Sequence, residues 1–181
     1  MTARLPLLKR PLDTLITAYL FFHIPITLLF ATQVVLGPDC TWIPNWASDL
    51  LASAAESSAD PLLSMGLPGV KREPWMIAIF YQEVFIQLPL FVILGRGLIQ
   101  GMVRVSQKDA QSWGFHVGCL IYSVQSLTAM ASVLVELVDR TGTDLVGSYL
   151  IFAIMPILIL WRTLRSDTFR QSKLNPKRKP N

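Results

Sequence analysis

Charge is scarce in this sequence. Of its 181 residues, 15% are Asp, Glu, Lys or Arg, where a soluble domain carries about 25%. Hydrophobic residues make up 52%, and the mean hydropathy is +0.46. These figures point to lipid as solvent. The phosphate-cradling glycine loop, the zinc-ligand cluster and the nucleophile elbow are all missing, so neither a cofactor nor a metal is expected. Cysteine is nearly absent as well, with two residues. Cys119 lies inside an apolar block and reads as a small packing hydrophobe, whereas Cys40 follows the first block. A bridge between them would join a loop to a membrane interior, so no disulfide is expected. The chain is basic, with a pI of about 9.3. Its excess Lys and Arg gather in the tails and one loop rather than over a folded face, which excludes nucleic acid as a partner.

What the sequence does contain is four long apolar blocks, at about 15–36, 75–94, 113–138 and 145–164. Each is long enough to cross a hydrocarbon core of roughly 30 Å, which takes about 20 helical residues. The expected fold is all-α: a polytopic membrane protein whose four transmembrane helices form a bundle. The first block is longer than a usual signal-peptide core and has no small-residue cleavage site before Pro38, so a span is expected there.

Lys and Arg set the orientation. Arg4, Lys9 and Arg10 precede the first block; Arg96, Arg104 and Lys108 lie between the second and third; Arg162, Arg165 and the basic tail follow the fourth. Lys71, Arg72 and Arg140 fall on the opposite side, among acids such as Asp39, Asp49 and Glu56. Both termini are therefore expected in the cytosol. The expected organisation is an N-terminal segment 1–14, a membrane domain 15–165 with a luminal cap loop 37–74, and a basic tail 166–181. Trp46, Trp75, Trp113 and Trp161 stand near block ends, where an interfacial aromatic belt would place them. The last residues, Lys177-Arg178-Lys179-Pro180-Asn181, resemble a dilysine retrieval signal of endoplasmic-reticulum membrane proteins. A basic tail drawn to anionic lipid would explain the charge but not the spacing.

Ionisable groups inside spans cost on the order of 3 kcal/mol each, so each needs a reason. Glu83 lies well inside the second block, with Gln87 one turn on and Pro89 beyond it. Pro89 cannot donate to the carbonyl of Phe85, so a bend is expected beside the carboxyl. The first block repeats the pattern with His23, Pro25 and Thr27, and the fourth carries Tyr149, Phe152 and Pro156. The third carries Tyr122, Gln125 and Thr128, with His116 and Glu136 expected near its two interfaces. Glu83 reads either as a protonated group bonded to a neighbouring helix or as a ligand-facing carboxyl. His23 reads either as a packing residue or as its helper. Bends at similar depth would separate the helices and leave a pocket open to the bilayer. Such a pocket, lined by Tyr and Phe and holding a carboxyl, suits a sterol or an amphiphilic amine. Gly114 and Gly118 form a GxxxG that permits close helix approach, within the bundle or in a homodimer.

The segments His23-Ile24-Pro25-Ile26-Thr27, Asp60-Pro61-Leu62-Leu63, Glu83-Val84-Phe85-Ile86-Gln87-Leu88-Pro89 and Ile121-Tyr122-Ser123-Val124 resemble the sigma-2 receptor family. That family belongs to the EXPERA-domain proteins, which include the emopamil-binding sterol isomerase. The resemblance implies a four-helix endoplasmic-reticulum protein, often dimeric, that binds sterols and cationic amphiphiles in a bilayer-facing pocket. On that pattern Asp60 and Glu83 are paired acids sharing a proton, and Gln87, Tyr149 and Phe152 line the pocket. One position departs: four residues after Thr27, where the family has an aspartate that pairs with a ligand amine, this sequence has Ala31.

Two functions follow. One is a sterol or lipid binder that influences sterol trafficking or homeostasis, with Glu83, Gln87, Asp60, Tyr149, Phe152, Thr128 and Gln125 at its site. The other is a double-bond isomerase acting on a sterol or terpenoid, with Glu83, Asp60 and His23 transferring protons. Ile79 and Gln87 flank Glu83 on its own helix, which offers no second titrating group there and favours the binder.

Overall fold

Proline opens both of the first two long helices, at a position where its missing N–H costs no hydrogen bond. The structure, a computed structural model, describes residues 6–100 and 110–165. The basic tail with its retrieval motif, and Arg4, Arg104 and Lys108, lie outside those residues. The long helices are α1 (Pro11–Leu36), α4 (Pro74–Ile99), α5 (Ala110–Thr141) and α6 (Val146–Leu164). Two shorter helices, α2 (Asn45–Ser58) and α3 (Pro61–Ser64), fold the first long loop into a cap. No strand occurs among the described residues.

Among the described residues, four helices are long and apolar enough to cross a membrane. Only 17% of the most apolar stretch of α4 is buried in the bundle. The rest of that surface, including Phe85 and Ile93, is stable against hydrocarbon and not against water. Helix α1 extends past its apolar block by about one turn at its N-terminus and α4 by about one turn at its C-terminus, while α6 stays within its block. Propensity and backbone bonding carry a helix beyond the point where hydropathy falls.

Helix α1 packs along α4, and α5 along α6. One core cluster joins Ile16 and Leu20 to Phe91, Leu94, Tyr122 and Met155. A second, nearer the cap, joins Val34 and Met76 to Leu62, Val133 and Leu137. Close approach between α4 and α5 is made at Gly97, where the Phe115 ring fills the space a side chain would need. Gly118 meets Leu94 across the same interface, while Gly114 faces open space. The GxxxG is therefore half used inside the bundle.

The expected proline bends take a different form. Helices α1 and α4 each contain one widened, π-helical turn, at Thr27–Ala31 and Glu83–Gln87. The N–H of Thr32 bonds back to the carbonyl of Thr27, and that of Leu88 to Glu83, five residues earlier in each case. In α4 the extra residue in the turn carries the chain past the crowding that Pro89 imposes on the carbonyl before it. Pro156 lies inside an uninterrupted α-helix.

Polar side chains tie the two ends of the bundle. At the N-terminal end Asp13 is 2% exposed and bonds Arg10 at 2.8 Å and Arg162 at 3.0 Å. Arg10 also donates to the carbonyl of Leu98 at 2.8 Å. One carboxylate thus links α1, α4 and α6. Arg10 and Arg162, which the sequence marks as topogenic charges, work here as buried or half-buried struts. At the cap end Arg72 donates to the carbonyls of Val34 and Val35, and Gln33 to the carbonyl of Ala47 at 2.9 Å. These bonds satisfy the C-terminus of α1 and pin α2 to it. Beside the cap, the ammonium of Lys71 at 2.8 Å holds the Glu73 carboxyl below the usual carboxylate range. Cys40 and Cys119 are both free.

Candidate functional site

The two π-helical turns pack against each other, and each begins with the residue that matters. Thr27 opens the turn in α1 and Glu83 the turn in α4. Thr27 is fully buried, and its hydroxyl donates to Glu83 Oε1 at 2.6 Å. One helical turn earlier on α1, His23 brings Nε2 to 3.4 Å from the same oxygen. Earlier still, the Tyr19 hydroxyl lies 3.1 Å from His23 Nδ1. Tyr122 of α5 completes the row, its hydroxyl 3.1 Å from that of Tyr19.

Aromatic rings fix the imidazole in place. Phe91 stacks on it at 4.7 Å with an interplanar angle of 25°, and Phe152 lies 4.9 Å away. Phe152 also meets the Tyr149 ring at 5.9 Å, and the Tyr149 hydroxyl donates to Asp60 Oδ2 at 2.5 Å. An aromatic wall therefore runs from Glu83 to Asp60, with an acid at each end.

The two acids do different work. Asp60 caps α3: Oδ1 accepts from the N–H of Leu62 at 2.8 Å and of Leu63 at 3.4 Å, while Tyr149 occupies Oδ2. Among the described residues Asp60 and Glu83 share no hydrogen bond, in contrast to the paired acids the resemblance implies. Both contacts to Glu83, from Thr27 and His23, fall on Oε1; Oε2 has no partner among the described residues, and the side chain is 18% exposed. A carboxylate oxygen within a membrane span, anchored on one side and bare on the other, is arranged to accept a hydrogen bond from outside the protein.

The remaining sequence candidates are placed as follows. Gln87 is buried at the end of the π-helical turn of α4. Gln125 donates to Gln82 at 3.4 Å, and exposed Thr128 returns its hydroxyl to the carbonyl of Val124 in its own helix. Among the described residues, neither bonds the Glu83 group. His116 is 1% exposed and borders a crevice with Cys119, Arg162 and Thr163. That crevice has an interior of about 10 Å³, room for a single water. Glu136 pairs with Arg140 one turn on. Ala31, where the resemblance leads one to expect an acid, is 2% exposed.

Tyr19, Asp13 and Gly97 are absent from the sequence reading. Tyr19 had a signal, since Tyr19, His23 and Thr27 recur every four residues and so share one helix face. Asp13 had none, because nothing local says that Arg162 returns to it.

Sequence comparison gives this membrane bundle a family. The family described as EXPERA (EXPanded EBP superfamily) matches residues 45–163. The chain belongs to the EXPERA family. Within the matched segment lie Asp60, Glu83, Tyr149 and Phe152, whereas α1, with Tyr19, His23 and Thr27, precedes it. Relatives of this EXPERA protein include the Sigma intracellular receptor 2 of Xenopus tropicalis, 27% identical over 169 residues that cover 91% of this chain and 94% of that one. The Sigma intracellular receptor 2 of Homo sapiens is 26% identical over 192 residues, covering 96% and 98%. No solved structure matches.

Proposed function

We propose that this EXPERA protein binds a sterol or related amphiphile within the membrane, at Glu83, and thereby influences sterol trafficking or homeostasis. The observation that carries this reading is the bare Oε2 of Glu83 beside an aromatic wall. A sterol hydroxyl or an amphiphile's ammonium would donate to Oε2, while a flat apolar body would lie along Phe152 and Tyr149. Gln87 and Asp60 would border the site, with Gln125 and Thr128 at its margin. Similarity to proteins named Sigma intracellular receptor 2 supports the same reading. We place the protein in the endoplasmic reticulum with both termini cytosolic, on the basic terminal motif and the Lys and Arg distribution. A homodimer would use the open side of α5 at Gly114.

One observation favours a second reading. His23 supplies, from α1, the second titrating group that α4 itself lacks. A carboxyl and an imidazole in contact are able to add a proton to one alkene carbon and remove one from the carbon on the far side of the cation so formed, which moves the double bond by one position. The two readings separate on deletion of the gene followed by sterol profiling. Altered sterol distribution with normal intermediates is expected; accumulation of one double-bond isomer would establish the isomerase instead. For the site itself, Glu83→Gln replaces a charged acceptor with an amide and is expected to weaken cholesterol binding about tenfold or more. Unchanged binding would remove Glu83 from the site. Orientation has its own check: a glycosylation acceptor introduced near Ser57 is expected to be modified, and one near Ser106 is not.

A further inference from the structure

His23 has two ring nitrogens and two different partners, and with Glu83 ionised and the imidazole neutral only one arrangement of protons satisfies both. In a neutral imidazole one nitrogen donates and the other accepts. Nε2 faces Glu83 Oε1 at 3.4 Å and Nδ1 faces the Tyr19 hydroxyl at 3.1 Å. A carboxylate oxygen only accepts, so Nε2 must carry the proton and Nδ1 must accept one. Tyr19 therefore spends its single O–H on Nδ1, and its oxygen accepts from Tyr122 at 3.1 Å. Tyr122 is fully buried and is bonded in turn by Ser126. The donors run in one direction, from Tyr122 through Tyr19 and His23 to Glu83.

We propose that Tyr19 and Tyr122 are positioning residues that hold His23 as the Nε2–H tautomer, so that its N–H anchors Glu83 Oε1 and turns Oε2 to the ligand. This inference rests on Glu83 being the ligand-holding carboxyl. Burial gives the row its grip. Tyr19 and His23 are each 7% exposed, so water does not replace a lost partner. The opposite tautomer would set the Nε2 lone pair against the Oε1 lone pairs. It would also need the Tyr19 hydroxyl to turn away and donate to Tyr122, reversing the row.

The test uses the full chain in lipid nanodiscs with ¹⁵N-labelled histidine, the two histidines being told apart with His116→Gln. The expected spectrum has His23 protonated on Nε2 and bare on Nδ1. Tyr19→Phe removes the donor to Nδ1 and is expected to give a mixture of tautomers. It is also expected to weaken binding of cholesterol, the probe, by about threefold to tenfold. Tyr122→Phe leaves Tyr19 able to donate, so it shifts the Nδ1 resonance while the Nε2–H tautomer persists. A wild-type His23 protonated on Nδ1 or on both nitrogens overturns the proposal, as does a Tyr19→Phe spectrum identical to wild type. Should Tyr19→Phe fail to fold, the wild-type spectrum still decides between the tautomers. If wild type takes up no cholesterol, the ligand reading fails, and the spectra alone still settle what holds His23.

Discussion

Asp13→Ala is expected to destabilise the protein by about 3–5 kcal/mol, enough to lose most of the folded material from detergent extracts. The reason is the company Asp13 keeps. It is 2% exposed and accepts from Arg10 and Arg162 at once. Arg10 is itself 5% exposed, so removing the carboxylate leaves a buried guanidinium without its counter-charge. Asp13→Asn keeps an acceptor for one arginine and is expected to fall between wild type and alanine. Thermal unfolding followed by size-exclusion chromatography reads the difference. Lys71→Ala is the contrast, because Lys71 lies in solvent at 84% exposure and its pair with Glu73 is screened. Equal losses from Asp13→Ala and Lys71→Ala would mean that burial does not set the strength of the N-terminal tie.

Gly97→Ala is expected to cost about 1–3 kcal/mol by overpacking. An added methyl would overlap ring carbons of Phe115, and that ring is 5% exposed with little room to retreat. Either α4 and α5 separate or Phe115 leaves its place. Gly114→Ala is the control, since nothing stands within 4 Å of its added Cβ. Pairing Gly97→Ala with Phe115→Leu should recover part of the loss, because the smaller side chain clears the space. The same thermal measurement checks all three variants, and indistinguishable losses from Gly97→Ala and Gly114→Ala would count against the packing argument.

Legibility from sequence divided along physical lines. Glu83, His23 and Thr27 were visible because a polar group in a hydrocarbon span is expensive wherever its partners lie. Their mutual contact was not visible, because it crosses from α1 to α4. It also depends on two π-helical turns meeting, which no period in the sequence announces. Pro89 signalled a disturbed helix, but whether the disturbance becomes a bend or a widened turn is decided by what packs against it. The partners of Asp60 were hidden for a related reason. As a helix-capping residue followed by proline it had a local structural role available, and Tyr149 then takes its other oxygen from another helix. Thr128 looked like an interior group, yet its hydroxyl bonds its own backbone on an exposed face.

The sequence by itself determined that this chain spans a membrane, how often, and that the second span contains a carboxyl needing an explanation. Those are properties of single segments, set by the transfer of side chains and backbone from water to hydrocarbon. Only the tertiary structure decided that the carboxyl is anchored through one oxygen by Thr27 and His23, and that Tyr19 and Tyr122 stand behind the imidazole. It also decided that two arginines of the orientation signal enclose Asp13. Hydrogen bonds and ion pairs between helices depend on rotation and depth to within a few tenths of an ångström, and those quantities are set only when all four helices pack together.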